Sequence, residues 1–114
     1  MKKIIIVIFL LLFCNTAEAQ WASRRPDISI VDLSDSTVEY SLAIGSGSRP
    51  VTQIQVKCRT SASIRMAFES GGTTSTYTTI PSGQTYFEND LRFIGTLYLR
   101  GGAASLEAEV MIWD

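Results

Sequence analysis

Enzymes and metal sites need nucleophiles, acid–base groups or ligands at useful spacing, and this chain holds few of them. It has no histidine, which removes the commonest general base and the commonest metal ligand together. The two cysteines are Cys14 and Cys58. Cys58 is in phase with Ile54 and Val56, which predicts an inward thiol behaving as a small hydrophobe rather than a nucleophile. Glu88 and Asp90 flank Asn89, and Asp32 and Asp35 lie either side of Ser34. Calcium wants six to eight oxygen ligands, and neither group has a ligand spacing; both read as solvated turns. Glu107 and Glu109 share the polar side of one strand, where basic cross-strand partners are a simpler account than an acid pair for sugar hydrolysis. Gly45-Ser46-Gly47-Ser48 lacks the lysine of a phosphate loop and the spacing of a serine elbow. The chain is therefore expected to carry no catalytic residue, no cofactor and no metal.

Aromatics remain. Trp21, Tyr77, Tyr86, Tyr98 and Trp113 are more than a core of this size needs. Tyr98 alternates with Leu97 and Leu99, and Met111 and Trp113 alternate with Val110 and Ile112. Outward aromatics suit a protein interface or stacking against sugar rings. The candidate interaction surface is Tyr77, Tyr86, Tyr98, Met111 and Trp113. Other protein chains are the expected partners, in a homo-oligomer or on a particle surface, with glycans as the alternative.

These side chains must be held by strands. Val38, Tyr40, Leu42 and Ile44 share one face, as do Ile54, Val56 and Cys58, then Ile64, Met66 and Phe68, then Leu106, Ala108, Val110 and Ile112. A period of two with one polar face marks half-buried antiparallel strands. Turn chemistry separates the runs at Gly45–Pro50, Ser70-Gly71-Gly72, Pro81-Ser82-Gly83 and Gly101-Gly102. Seven or eight strands are predicted over 28–33, 37–44, 51–59, 63–69, 74–80, 85–87, 96–100 and 103–113. Short strands at that spacing imply an all-β antiparallel sandwich, jelly-roll-like or immunoglobulin-like.

The N-terminus gives a destination. Lys2-Lys3 precede an apolar run from Ile4 to Phe13, and Ala17-Glu18-Ala19 is an A-x-A cleavage signal, the anatomy of a secretory signal peptide. The run is too short for a membrane-spanning helix, which needs about twenty residues. Leu11-Leu12-Phe13-Cys14 resembles a lipidation site, but Phe13 stands where a small residue belongs. Residues 1–19 read as a signal peptide, 20–26 as a loose arm and 27–114 as one sandwich domain, exported to a periplasmic, extracellular or virion setting. Cleavage after Ala19 leaves 95 of the 114 residues, and losing Lys2, Lys3 and Glu18 takes the net charge from −1 to −2. That balance gives no basic footprint for nucleic acid, and cleavage leaves no membrane anchor. With Cys58 alone in the exported part, stability must come from sheet packing or assembly and not from an internal disulfide.

From Val56 onward the order of motifs is suggestive. Ser63 to Phe68 leads through a Ser/Thr-rich stretch to Thr79-Ile80-Pro81-Ser82-Gly83-Gln84-Thr85-Tyr86. Glu88-Asn89-Asp90-Leu91, Gly95-Thr96-Leu97-Tyr98-Leu99-Arg100 and a closing strand ending in Trp113 follow. This half of the chain resembles small β-sandwich modules of tailed-phage virion proteins. The resemblance implies a structural or attachment module that works by oligomeric packing, with no catalytic residues.

Overall fold

The computed structural model describes residues 26–45, 47 and 49–114. The signal peptide, Cys14, Trp21 and most of the arm lie outside the described residues. The elements run β1 (Asp27–Leu33), β2 (Tyr40–Ile44), β3 (Gln53–Cys58), β4 (Ile64–Ala67), α1 (Gly72–Ser75), β5 (Thr78–Ile80), β6 (Thr85–Glu88), β7 (Gly95–Gly101) and β8 (Leu106–Trp113). Every strand pairing is antiparallel.

The strands form two four-stranded sheets, ordered β1-β8-β3-β6 and β2-β7-β4-β5. The order has a simple logic. β1 pairs with β8, β2 with β7, β3 with β6 and β4 with β5. The chain therefore doubles back between β4 and β5, and successive quarters of the doubled ribbon fall alternately into the two sheets. That is jelly-roll order, and it decides between the two strand orders that local periodicity leaves open.

Alternation explains which side chains meet between the sheets. Leu33, Ile54, Val56, Leu106, Ala108 and Val110 from the first sheet face Ile44, Ile64, Met66, Ile80, Leu97 and Leu99 from the second, and all are buried. Burying each large aliphatic side chain contributes about 1.5–3 kcal/mol against exposure, and this shared core is the main cohesive element. Cys58 lies opposite Ala108, on the inner side of β3 and partly buried, with its Sγ 3.3 Å from the Thr60 hydroxyl.

Three strand expectations need correction. The run predicted over 37–44 begins as a strand only at Tyr40. Asp35 accepts hydrogen bonds from the Thr37 amide (2.8 Å) and hydroxyl (2.6 Å), and this local turn diverts the chain before it can join the ladder. Val38, expected on the apolar face, is exposed as a result. The run predicted over 74–80 is split: α1 occupies its start and β5 is three residues long. The last strand starts at Leu106, because Ser105 turns at φ 60°.

α1 lies on the outside of the second sheet. A Cβ on Gly72 would stand 2.6 Å from the Ala67 Cβ, so only glycine lets the helical turn sit that close. Its first turn is held by a side chain far away in sequence. The Glu39 carboxylate accepts the Gly71 amide at 2.7 Å, the Thr73 amide at 3.1 Å and the Thr73 hydroxyl. Further along, Gly83 takes φ 74° in a turn closed by the Gln84 amide on the Pro81 carbonyl at 3.1 Å. The third residue of such a turn needs positive φ, hence glycine.

Candidate interaction surface

The outer side of the first sheet follows from register. Ile28, Met111, Gln55 and Phe87 form one row across all four strands. Ile30, Glu109, Lys57 and Thr85 form the next. Trp113 lies beside Gln53 at one end of the sheet, and Asp32 and Glu107 lie toward the other. Ile28, Ile30 and Phe87 are 61%, 47% and 53% exposed. The Phe87 and Trp113 rings meet edge to face with centroids 6.5 Å apart, an arrangement favoured by aromatic quadrupoles.

Beside this apolar end lies an ionic one. Lys57 pairs with Glu109 at 3.0 Å, and Arg59 with Glu107 at 3.1 Å and with Glu109 at 4.0 Å. The two glutamates are thus partners of Lys57 on β3 and of Arg59 just after it, which accounts for both without any acid pair. Exposed pairs of this kind contribute at most about 1 kcal/mol each. They hold the β3–β8 register more than they stabilise the fold.

The five candidate residues do not share one surface. Met111 and Trp113 lie together on the outer side of the first sheet. Tyr86 does not join them. It lies opposite Val56, packs against the core and directs its hydroxyl to the Glu88 carboxylate at 3.1 Å. Burial first, and the Glu88 carboxylate second, raise its pKa above the usual tyrosine value of 10.0. Tyr86 and Phe87 alternate, so the inward turn of Tyr86 is what brings Phe87 out. Tyr98 is on the outer side of the second sheet, opposite Ser41 and Ala67. Tyr77 is exposed beside β5, with the Arg65 guanidinium 4.6 Å above its ring centre. That contact draws Arg65 aside from Arg100, its cross-strand neighbour of like charge. Tyr77, Tyr86 and Trp113 are therefore divided among three surfaces.

The sequence reading missed Ile28, Ile30 and Phe87. The alternation of Ile28 and Ile30 with Ser29, Val31 and Leu33 leaves two apolar faces, and only pairing with β8 decides which one is outward.

The carboxylates have local duties. Asp35 is held below the ordinary aspartate range chiefly by the Thr37 hydroxyl and then by the Thr37 amide. Among the described residues, no group of three or more histidines, cysteines, aspartates or glutamates is placed to hold a metal ion.

No family model and no curated protein matches the chain. Among solved structures it is similar to a de novo designed double-stranded β-helix determined by solution NMR. The two share 18% identity with a TM-score of 0.46, over 77% of this chain and 96% of that one. A likeness that slight decides nothing about what this chain does.

Proposed function

We propose that this chain is an exported, non-enzymatic β-sandwich module that works by packing against other protein chains, a second copy of itself first among them. One observation carries the reading: the row Ile28–Met111–Gln55–Phe87, flanked by Trp113 and Ile30, sets exposed apolar side chains beside a band of ion pairs. An apolar centre with a charged margin is the anatomy of a protein interface. Export rests on the N-terminal signal, and a virion setting rests on the sequence resemblance in the second half of the chain.

Sedimentation velocity of the chain starting at Gln20 tests this. Association is expected between micromolar and millimolar concentrations. Trp113→Ala and Phe87→Lys should each weaken it by at least about 30-fold, the effect of losing an interface anchor of about 2 kcal/mol. Thermal unfolding should change little, because both side chains lie on the outer surface. A monomer across that range, with Phe87→Lys indistinguishable from it, would remove the self-assembly reading.

A further inference from the structure

We propose that the end of the first sheet around Gln53 is a binding site for a neutral saccharide of about two sugar units. Two clefts of about 320 and 350 Å³ flank this point and share Thr52 and Gln53 as a common wall. Both volumes fall at the small end of the range for ligand sites. Asp90, Leu91 and Arg92 complete one cleft, and Trp113 and Asp114 complete the other. In the sheet, β3 lies between β8 and β6, so Trp113 and the loop after β6 stand two strand spacings apart, about 10 Å. That span is about the length of a disaccharide, with one ring per cleft and the linkage over Gln53.

The walls are tied together before any ligand arrives. The Thr52 amide (2.7 Å) and hydroxyl (3.0 Å) both donate to the Trp113 carbonyl. On the other side the Leu91 amide donates to the Thr52 carbonyl at 3.0 Å, and Val51 and Phe93 exchange backbone hydrogen bonds. Asp90 holds φ 60°, a left-handed conformation that aspartate tolerates better than most residues but that still costs conformational energy. Such fixed geometry lowers the ordering cost of binding.

The lining selects the ligand class. Leu91 is the sole aliphatic side chain, which gives a lipid tail too little to bury. Asp90 and Asp114 repel phosphate or another anion. A sugar uses every group present. Its hydroxyls both donate and accept, so they can satisfy the Asp90 carboxylate, the Gln53 amide and the Arg92 guanidinium together, and its C–H face suits the Trp113 ring. This inference shares Trp113 with the assembly reading, but Ile28 and Ile30 lie outside both clefts, so the two can be tested apart.

The experiment is an amide and indole NMR titration of the chain from Gln20 with glucose, galactose, mannose and N-acetylglucosamine, and with disaccharides of each. Saturable shifts are expected at Gln53, Asp90, Arg92 and the Trp113 indole, with dissociation constants of about 1–10 mM for the best monosaccharide and about tenfold tighter for its disaccharide. Asp90→Asn keeps a residue that accepts positive φ and should weaken binding at least about tenfold, as should Gln53→Ala, with distant signals unmoved. Ile28→Lys, on the far edge strand and in neither cleft, should bind sugar like the unaltered chain while losing association, so the two proposals fail separately. The absence of saturable shifts at about 200 mM sugar, or shifts centred elsewhere, would overturn the site. So would a salt-sensitive response to free lysine in place of sugars, which would make it a cation site.

Discussion

Val110→Asp is expected to unfold this protein outright. Val110 is 1% exposed, and its strand is hydrogen-bonded on both sides, with Ser29 and Val56 as neighbours in register. A strand held on both edges cannot swing a new carboxylate out to water. The charge would remain among aliphatic side chains with no partner, at a penalty of several kcal/mol. A domain of this size has about 5–15 kcal/mol to lose. Circular dichroism and amide-proton dispersion at neutral pH should both collapse. Met111→Asp, one residue away on the outer side, is the matched control and should stay folded. The opposite pattern would mean that the face assignment of β8 is inverted.

Glu39→Ala should have the second largest effect, although Glu39 belongs to no strand. Its carboxylate holds two backbone amides and the hydroxyl of Thr73, and Thr73 is fully buried. Removing it leaves those donors without their acceptor and deprives the nearby Arg100 guanidinium of a counter-charge. Arg100 already has a buried Nε without a hydrogen-bond partner. The expected loss is about 2–3 kcal/mol. With a urea slope of about 1 kcal/mol per molar for a chain this short, the unfolding midpoint should fall by about 2–3 M. Glu39→Gln, which keeps an acceptor oxygen without the charge, should fall between the two.

The same carboxylate gives a signature in pH. The Thr73 hydroxyl holds its pKa below the ordinary glutamate value of 4.5; burial, second in size, opposes this, and the Gly71 and Thr73 amides and Arg100 add to the lowering. A depressed folded-state pKa means that the unfolded chain takes up the proton first on acidification. The stabilisation is complete above 4.5 and is lost as pH falls from there through the folded value. The gap in urea midpoint between the unaltered chain and Glu39→Ala should therefore hold steady from pH 7 to 5 and close below. A gap that persists undiminished to pH 2.5 would show that the carboxylate charge is not what holds α1.

These two residues show where local pattern is informative. Val110 belongs to a run that alternates apolar and polar residues from Leu106 to Val110, and a half-buried strand imposes that period on its sequence. The inward set Ile54, Val56 and Cys58 and the outward Met111 and Trp113 are legible for the same reason. Glu39 also fits an alternating run, yet it is not in a strand at all. Its partners lie 32 and 34 residues away, and a four-residue helical turn leaves no periodic mark. Tyr86 fails differently. Three residues of alternation do not say which side of β6 faces in, and only its place opposite Val56 decides. The jelly-roll order is equally silent locally, because it is a property of which distant runs pair.

That pairing has a temporal side. β1 and β8 are neighbours in the sheet although they stand at opposite ends of the described chain, and β8 is also the partner of β3. On a ribosome, or threading through a narrow pore from its N-terminus, the first strand emerges long before its mate. The nearby partners β4 and β5 can meet early, but β1 must wait for Leu106 to Trp113, and closing so long a loop is slow. A released chain truncated before residue 106 should accordingly show no protease-resistant domain, even with seven of the eight strands present. Under the proposed export, such a delay would keep the sequence unfolded and threadable until its last strand is delivered.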